Sequence, residues 1–439
     1  MMERKTMMLS ARSRLVLFAL LTAALAAYIG CSKKPEKLKL PSQISAQVWD
    51  SLRPLLARGE IAGRDAFYEA QRRYTAMLID SMQTNGLSME EQVQCAKELA
   101  TAGKVDRATE LLTPLLEGKD KYAREALKTL VSIKIIAKDA AGAENLMADY
   151  RRRFPPNSND TDGLYNQISD LGDLLNSEGR ADESIRVIED ELNSLRFDAP
   201  YSSFYFVDEL FPLMVESGRL EELASMVANF DKRLSQSYKA YEDTVSYADS
   251  TAEANDETAR QYRFLLKTFK MVGNRIKLIG KKAPEIRFAH VYNADSTTTF
   301  DRLRGRVTVL DFWATWCLPC IIGFNELGEL YDQYKDRGLE IVSITSLQGM
   351  YIDREAGISE GSRDKKISKA REIELTASFI KKHNMRWPVA FSDRSVFDER
   401  YGITGIPTYV VLDHDGIIRY IQVGIGKKAQ MKRILEKLL

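Results

Sequence analysis

Residues 311–320 read DFWATWCLPC and contain two of the chain's four cysteines, Cys317 and Cys320, separated by two residues. The run that leads into them, TVLDF, has the β-branched and aromatic residues of a buried strand. The chain then turns into a helix, because Pro319 suits a first helical turn, where its missing N–H costs no hydrogen bond. A strand and a helix that meet at paired cysteines predict an α/β domain around this stretch.

Three uses of such a cysteine pair are open: metal binding, a structural disulfide and electron exchange. A structural zinc site needs four ligands, but the three histidines are scattered and the sequence has no second CxxC, so we predict no metal. A disulfide across so short a separation adds little stability by the chain-entropy argument. Redox exchange is therefore favoured. The positive end of the helix dipole stabilises a thiolate at Cys317, the expected exposed nucleophile, and Cys320 is the expected buried resolving thiol.

The N-terminus has the layout of a bacterial export signal. Basic residues precede an apolar run that is shorter than the roughly 20 residues a membrane span needs. The run ends at Cys31 directly after a Gly, which resembles the lipobox of bacterial lipoproteins, although Tyr28 stands where that motif usually has Leu. We predict a lipoprotein-type signal peptide over residues 1–30, lipidation of Cys31 and a tether over residues 31–43. An uncleaved signal anchor is the alternative.

Residues 44–279 carry apolar side chains at helical spacing almost throughout. The segment LGDLLNSEGRADES places Gly179 at a turn that tolerates a positive φ, and the small Ser184 five residues later lets a second helix pack closely. We predict a degenerate tetratricopeptide-like array of helical hairpins, with a plain helical bundle as the alternative. Cys95 lies at a core position of this pattern and is expected to be a buried, inert thiol. Similar frames recur with predicted turns at Gly103, Lys138 and Gly218.

Residues 280–439 resemble the thioredoxin superfamily, specifically the TlpA/ResA branch of membrane-tethered thiol–disulfide oxidoreductases. The matching segments are GKKAPEIRF, VLDFWATWCLPC and ITGIPTYVVLDHDG. The resemblance implies a multidomain chain, in which an all-α helical-repeat region precedes an α/β thioredoxin-like domain with a mixed sheet. It also implies a redox-active disulfide between Cys317 and Cys320, with no further cofactor.

The same resemblance assigns roles to residues around the cysteines. It implies that Asp311 is a buried acid/base group for Cys320 and that Pro407 forms a cis peptide bond in a loop beside the disulfide. Trp313 is expected to be structural, whereas Trp316 is expected to be partly exposed beside the client groove. The residues expected to contact substrate are Trp316, Leu318, Pro319 and Ile406.

The sequence departs from this family at two places. Many relatives have a Glu three residues after the second cysteine, where this chain has Gly323, so Asp311 is expected to carry the acid–base role alone. Glu326 is expected to be solvated. A long polar insert at about residues 348–375 is interpreted as a lid, a client-contact loop or a solvated excursion, and solvent exposure is favoured for any single residue in it.

We expect a lipid-anchored periplasmic oxidoreductase, in the outer membrane, that reduces disulfides of exported client proteins. An upstream membrane protein would supply its electrons. The net charge of +1 gives no indication of a nucleic-acid partner. The alternative is a membrane-anchored interaction protein whose helical repeats bind a partner and whose redox activity is secondary. A thiol peroxidase is disfavoured, because TWC lacks the upstream Pro of such sites.

Overall fold

The computed structural model describes most of the chain from residue 41 onward. The predicted signal peptide, Cys31 and the tether up to residue 40 lie outside the described residues. Residues 41–43, predicted as the end of the tether, already belong to the first helix, because Pro41 provides the fixed φ that suits a helical first turn. No helix within the described ranges is both long and apolar enough to cross a membrane. The described residues are 41–57, 61, 63–79, 84, 86–155, 163–194, 201–245, 256–294, 303–354, 356–362 and 364–439.

The part of the chain before the first strand is helical. Its helices are α1 Pro41–Ala57, α2 Gly63–Ile79, α3 Met89–Thr101, α4 Val105–Leu112, α5 Lys121–Ile136, α6 Ala140–Arg153, α7 Tyr165–Ser177, α8 Ala181–Ser194, α9 Tyr201–Glu216, α10 Leu220–Glu242 and α11 Glu257–Leu278.

Consecutive helices form hairpins at the predicted turns. The turn residue has a positive φ in each case, and Lys138 adopts this conformation at +59° without the freedom of a glycine. In the hairpin of α7 and α8, the hydroxyl of Ser184 donates to the carbonyl of Gly172 at 2.8 Å. A Cβ added to Gly172 would lie 2.9 Å from the terminal methyl of Ile188, so the glycine allows the two helices to pack without a shift of that side chain. Whether the hairpins belong to the tetratricopeptide type stays a prediction. The turn residues are Gly103, Lys138, Gly179 and Gly218.

A six-stranded mixed sheet follows, in the order β1-β6-β3-β2-β7-β8. The central strand β2 pairs in parallel with β3 and antiparallel with β7. Two further strands, β4 and β5, form a separate hairpin. The strands are β1 Phe288–Tyr292, β2 Val307–Phe312, β3 Leu339–Ser346, β4 Met350–Asp353, β5 Ile358–Gly361, β6 Val389–Ser392, β7 Thr408–Leu412 and β8 Ile418–Val423, and the helices among them are α12 Leu318–Tyr334, α13 Lys369–Lys382 and α14 Lys428–Leu438.

The two faces of this sheet are covered by different parts of the chain. Side chains alternate along a strand, so Val309 and Leu310 of β2 face opposite sides. The side of Val309 shares a core with α12, α13 and α14. The side of Leu310 shares a core with Phe211 of α9 and Phe269 of α11. Burial of each such Phe or Leu contributes about 1.5–3 kcal/mol, so the helical region stabilises one whole face of the sheet.

A buried ion pair fixes this contact. Arg275 of α11 is 1% exposed and pairs with Asp208 of α9, and its guanidinium also lies 4.9 Å from the ring centroid of Phe211. The second oxygen of Asp208 accepts a hydrogen bond from Thr404 at 3.1 Å. Thr404 belongs to the segment that leads into Pro407, so the helical region holds that loop directly.

Breaking the buried pair should cost far more stability than breaking an exposed pair at the same interface. Arg275→Met leaves the Asp208 charge buried without its partner, and we expect the free energy of unfolding of the oxidised protein to fall by about 3–5 kcal/mol. Lys267→Met is the matched control. Lys267 of α11 also pairs across the interface, with Glu399, but both side chains are more than half exposed, and the expected loss is below about 1 kcal/mol. Urea denaturation measures both values, and equal losses would contradict this account of the interface.

Candidate active site: a disulfide at a helix N-terminus

The two cysteines lie where α12 begins. Cys317 is the N-cap residue of α12, and its sulfur accepts a hydrogen bond from the N–H of Cys320 at 3.2 Å. Cys317 and Cys320 form a disulfide, and the exposed Pro319 lies in the first turn. An N–H donor and the helix dipole both favour negative charge at Cys317, so this geometry stabilises a thiolate when the disulfide is reduced.

The expectation of an exposed Cys317 is wrong for this oxidised structure, because the residue is only 3% exposed. On one side its sulfur lies 3.5 Å from the carbonyl oxygen of Ile406. On the other side the neighbouring Leu318, expected to face clients, is half-buried and packs against the core formed by α1 to α5.

The outer face of α12 is also covered by the helical region. Ile322 belongs to the core of α1 to α5, and Ile425 packs against it. The side chain of Asn325 donates to the carbonyl of Ile61 at 2.9 Å, immediately before α2. The apolar surface next to the disulfide is thus occupied by this chain's own helices.

The loop before β7 lies beside the disulfide, as the resemblance implies. The peptide bond between Ile406 and Pro407 is cis. Pro407 is buried and Ile406 is half-buried, with its carbonyl directed at Cys317. The hydroxyl of Thr408 donates to the carbonyl of Gly405 at 2.6 Å and closes the turn.

Asp311 is buried beneath this site on the same side of the sheet as α12. In the register of the sheet, Asp311 lies opposite Ser343 on β3 and Tyr409 on β7. Ser343 donates to Oδ2 of Asp311 at 2.6 Å, and the indole N–H of Trp387 donates to Ser343 at 2.7 Å. Burial raises the pKa of Asp311 to about 7, although the hydrogen bond from Ser343 opposes this shift.

The space left by Gly323 is filled by a phenol. A Cβ at Gly323 would lie 2.4 Å from the hydroxyl of Tyr409, so a larger side chain there requires Tyr409 to shift. Burial raises the pKa of Tyr409 well above its ordinary value, and the charges of Asp311 and Glu326 add to this effect. Glu326, expected to be solvated, is half-buried. A polar group therefore does reach this position, but it comes from β7 and not from the helix.

The insert is fastened to the active site. The half-buried Trp316 donates to Oε1 of Gln348 at 3.0 Å, and the backbone N–H groups of Gln348 and Gly349 each donate to Glu372 at 2.8 Å. About half of the described residues of the insert are exposed, as expected, but Tyr351, Asp353 and Glu372 are at most 4% exposed. For these three, solvent exposure is the wrong expectation, because Glu372 anchors the loop, Asp353 pairs with Lys382 of α13 and Tyr351 packs against Phe379.

Sequence reasoning missed Ser343, Trp387, Tyr409, Gln348 and Glu372. The first three come together only through the register of β2 with β3 and β7 and through the position of the segment before β6. Short-range spacing carries no signal for that register. Cys95 is buried as predicted, and burial raises its pKa to about 11. Within the described ranges, no group of three or more His, Cys, Asp or Glu side chains is arranged to hold a metal ion.

A mixed sheet, a CxxC disulfide at a helix N-terminus and a cis-proline beside it together define a thioredoxin-like redox domain. Residues 278–439 match the Redoxin family model. ResA, a thiol–disulfide oxidoreductase of Bacillus cereus, is 27% identical over 161 residues, which are 36% of this chain and 78% of the relative. ResA of Oceanobacillus iheyensis is 27% identical over 153 residues, 34% of this chain and 68% of the relative.

The C-terminal domain is therefore a thioredoxin-like domain with thiol–disulfide oxidoreductase activity, similar to the Redoxin family. Among solved structures, StoA from Bacillus subtilis is similar at 19% identity and a TM-score of 0.25, covering 33% of this chain and 95% of that chain.

The raised pKa of Asp311 predicts a pH-dependent cost to the fold. The folded state holds the proton up to about pH 7, whereas the unfolded chain releases it near pH 4, so stability falls as the pH rises between these values. Asp311→Asn removes this cost. We expect the variant to match the oxidised wild type near pH 4 and to exceed it by on the order of 4 kcal/mol above pH 7, in urea denaturation at both pH values.

Asp413→Asn is the control of opposite sign. Burial raises the pKa of Asp413, but hydrogen bonds from the backbone and from Arg419 outweigh it, and the net pKa is lowered. This variant should be less stable than the wild type by a constant amount above about pH 5, and the difference should shrink as the pH falls below about 4, because the unfolded chain then takes up the proton before the folded state does. If Asp311→Asn shows the same trend, the Asp311 carboxyl is not the destabilising group.

The contact of Gly323 with Tyr409 predicts a steric effect that a second change relieves. Gly323→Ala should lower the free energy of unfolding by about 1–3 kcal/mol through overpacking. The same substitution in a Tyr409→Phe background should cost much less, because the clashing oxygen is gone. Gly273→Ala in α11, where a Cβ meets open space, should instead stabilise by about 0.5–1 kcal/mol. A cost at Gly323 that persists without the hydroxyl would exclude this steric explanation.

Proposed function

We propose that the protein reduces disulfides of exported client proteins in the periplasm, through dithiol exchange at Cys317 and Cys320. The observation that carries this proposal is the position of Cys317. It caps α12, accepts the N–H of Cys320 and lies 3.5 Å from the carbonyl of Ile406, beside a cis-proline. The matches to ResA proteins, whose printed name is thiol–disulfide oxidoreductase, support the same chemistry.

The exchange proceeds in two steps. The Cys317 thiolate attacks one sulfur of a client disulfide, the client S–S bond breaks, and a mixed disulfide with Cys317 forms. Cys320 then loses its proton to the Asp311 carboxylate, and its thiolate attacks the sulfur of Cys317. The second client thiolate leaves, so the client is reduced by two electrons and the Cys317–Cys320 disulfide is restored. An upstream membrane electron donor must then reduce that disulfide.

The active site offers features for client contact on the side not covered by helices. Backbone polar groups before a cis-proline can pair with an extended client chain, and Ile406 is half-buried in that position. Pro319 is exposed and Trp316 is half-buried next to Cys317, so both are candidate contacts. Leu318 remains a candidate contact only at its exposed portion, because it also packs against the helical region.

The proposed cellular location rests on the N-terminal sequence around Cys31. A lipid anchor at Cys31 would tether the protein to a membrane, with the outer membrane facing the periplasm as the proposed site. The helical region then has a structural role at the sheet and a further proposed role in limiting which clients reach Cys317, since α1 to α5 occupy the surface beside Leu318 and Ile322.

Trapping in the living cell tests this function. Cys320→Ala removes the resolving thiol, so mixed disulfides on Cys317 should persist and can be isolated and identified by mass spectrometry. Addition of Cys317→Ala should abolish every adduct. Cys95→Ala is the matched control and should leave the adducts unchanged, because that thiol is buried and its pKa is raised.

Defined exported proteins recovered only when Cys317 is present would establish the oxidoreductase and identify its clients. Absence of adducts, together with a partner that binds the helical region independently of the cysteines, would instead favour the interaction protein with secondary redox activity.

A further inference from the structure

Three buried polar side chains form a hydrogen-bonded chain that ends at the acid–base group. The indole of Trp387 has only a donor, so in its 2.7 Å contact with Ser343 the serine oxygen accepts. The single proton of the Ser343 hydroxyl is then directed to Oδ2 of Asp311, at 2.6 Å. When Asp311 is ionised it can only accept, so the direction of both hydrogen bonds is then fixed, and all three residues are at most 1% exposed.

The two oxygens of Asp311 have different surroundings. Oδ2 accepts the proton of Ser343, whereas Oδ1 is buried and has no hydrogen-bond partner among the described residues. A buried acceptor without a partner carries a desolvation cost of about 1–3 kcal/mol, and folds rarely retain one without a use. The carboxyl group lies on the face of the sheet that packs against α12, the helix that carries Cys320.

We propose that Ser343, backed by Trp387, is the positioning residue that holds Oδ2 of Asp311 and leaves Oδ1 as the atom that accepts the Cys320 proton. This inference rests on the proposed function of Asp311 in resolution. A carboxylate bound at one oxygen by a hydroxyl of fixed direction cannot rotate freely. The hydrogen bond also favours the ionised form, which is the form that accepts a proton.

Ionisable groups near Asp311 lie on β7 and on α12. Tyr409 on β7 interacts with Asp311, and its pKa is raised well above the ordinary value by burial, so it stays neutral in the range of interest. Glu326 on α12 acts on Tyr409. Burial and the Ser343 hydrogen bond are the influences that set the pKa of Asp311, so loss of Ser343 should be visible in its titration.

The resolving step can be isolated with the small disulfide 5,5′-dithiobis(2-nitrobenzoate). The reduced full chain is used in a Cys31→Ser background, which removes the thiol outside the described residues. Attack by Cys317 releases the first nitrothiolate, and attack by Cys320 on the resulting mixed disulfide releases the second. Stopped-flow absorbance over a series of pH values gives a pH midpoint for each phase. Cys320→Ala should abolish the second phase alone.

Ser343→Ala should move the midpoint of the second phase upward by about one pH unit, equivalent to about 1.4 kcal/mol. At pH 7 the second phase should slow about fivefold, because the ionised fraction of a group with a pKa of about 7 falls from about one half to about one tenth. The first phase should not change. Trp387→Phe removes the indole donor together with part of the buried ring and should produce a smaller shift in the same direction.

Three further variants distinguish a positioning role of Ser343 from a packing role. Ser346→Ala makes the same substitution at another buried serine of β3, whose hydroxyl accepts from the N–H of Val396, and should shift neither midpoint. Ser343→Thr keeps the hydroxyl and should restore the wild-type midpoint. In an Asp311→Asn background, Ser343→Ala should add no further shift.

An unchanged second-phase midpoint in Ser343→Ala, or an equal shift in Ser346→Ala or in the Asp311→Asn background, would overturn the inference. The absence of both phases in the wild-type chain would instead show that the proposed function fails.

Discussion

The thioredoxin-like sheet depends on the helical region for one of its two faces. Leu310 and Phe312 of β2 share a core with α9 and α11, whereas the opposite face packs against α12 and α14. The buried pair of Arg275 and Asp208 lies at this contact and extends through Thr404 to the cis-proline loop. Arg275, Asp208 and Thr404 therefore form a continuous chain of contacts from α11 through α9 to the loop beside Cys317.

Local patterns were sufficient to predict much of this architecture. The hairpin turns at Gly179 and Lys138 follow from spacing over a few residues, and the start of α12 at the cysteine pair follows from Pro319 and the preceding strand. The cis bond before Pro407 follows only from the family resemblance, because most X–Pro bonds in folded proteins are trans. In each of these cases the determining residues are close in sequence or form a recognisable motif.

The features that the sequence did not predict depend on contacts between residues that are far apart in the chain. Ser343 reaches Asp311 because β2 and β3 pair in one particular register, and a shift by one residue would direct it to the other face. The burial of Cys317 and the contact of Leu318 with the helical region depend on how two parts of the chain pack together. Amphipathic spacing shows that a helix has an apolar face, but it does not identify the surface that this face covers.

The central claim is that the Cys317–Cys320 pair transfers two electrons to a protein disulfide. Single-turnover transfer from the reduced chain to insulin tests it most directly, with alkylated cysteines counted by mass spectrometry in both proteins. The account predicts one insulin disulfide reduced per chain, with Cys317 and Cys320 oxidised together and Cys95 unalkylated in the native state. A chain whose Cys317 and Cys320 remain reduced while insulin remains oxidised would contradict it.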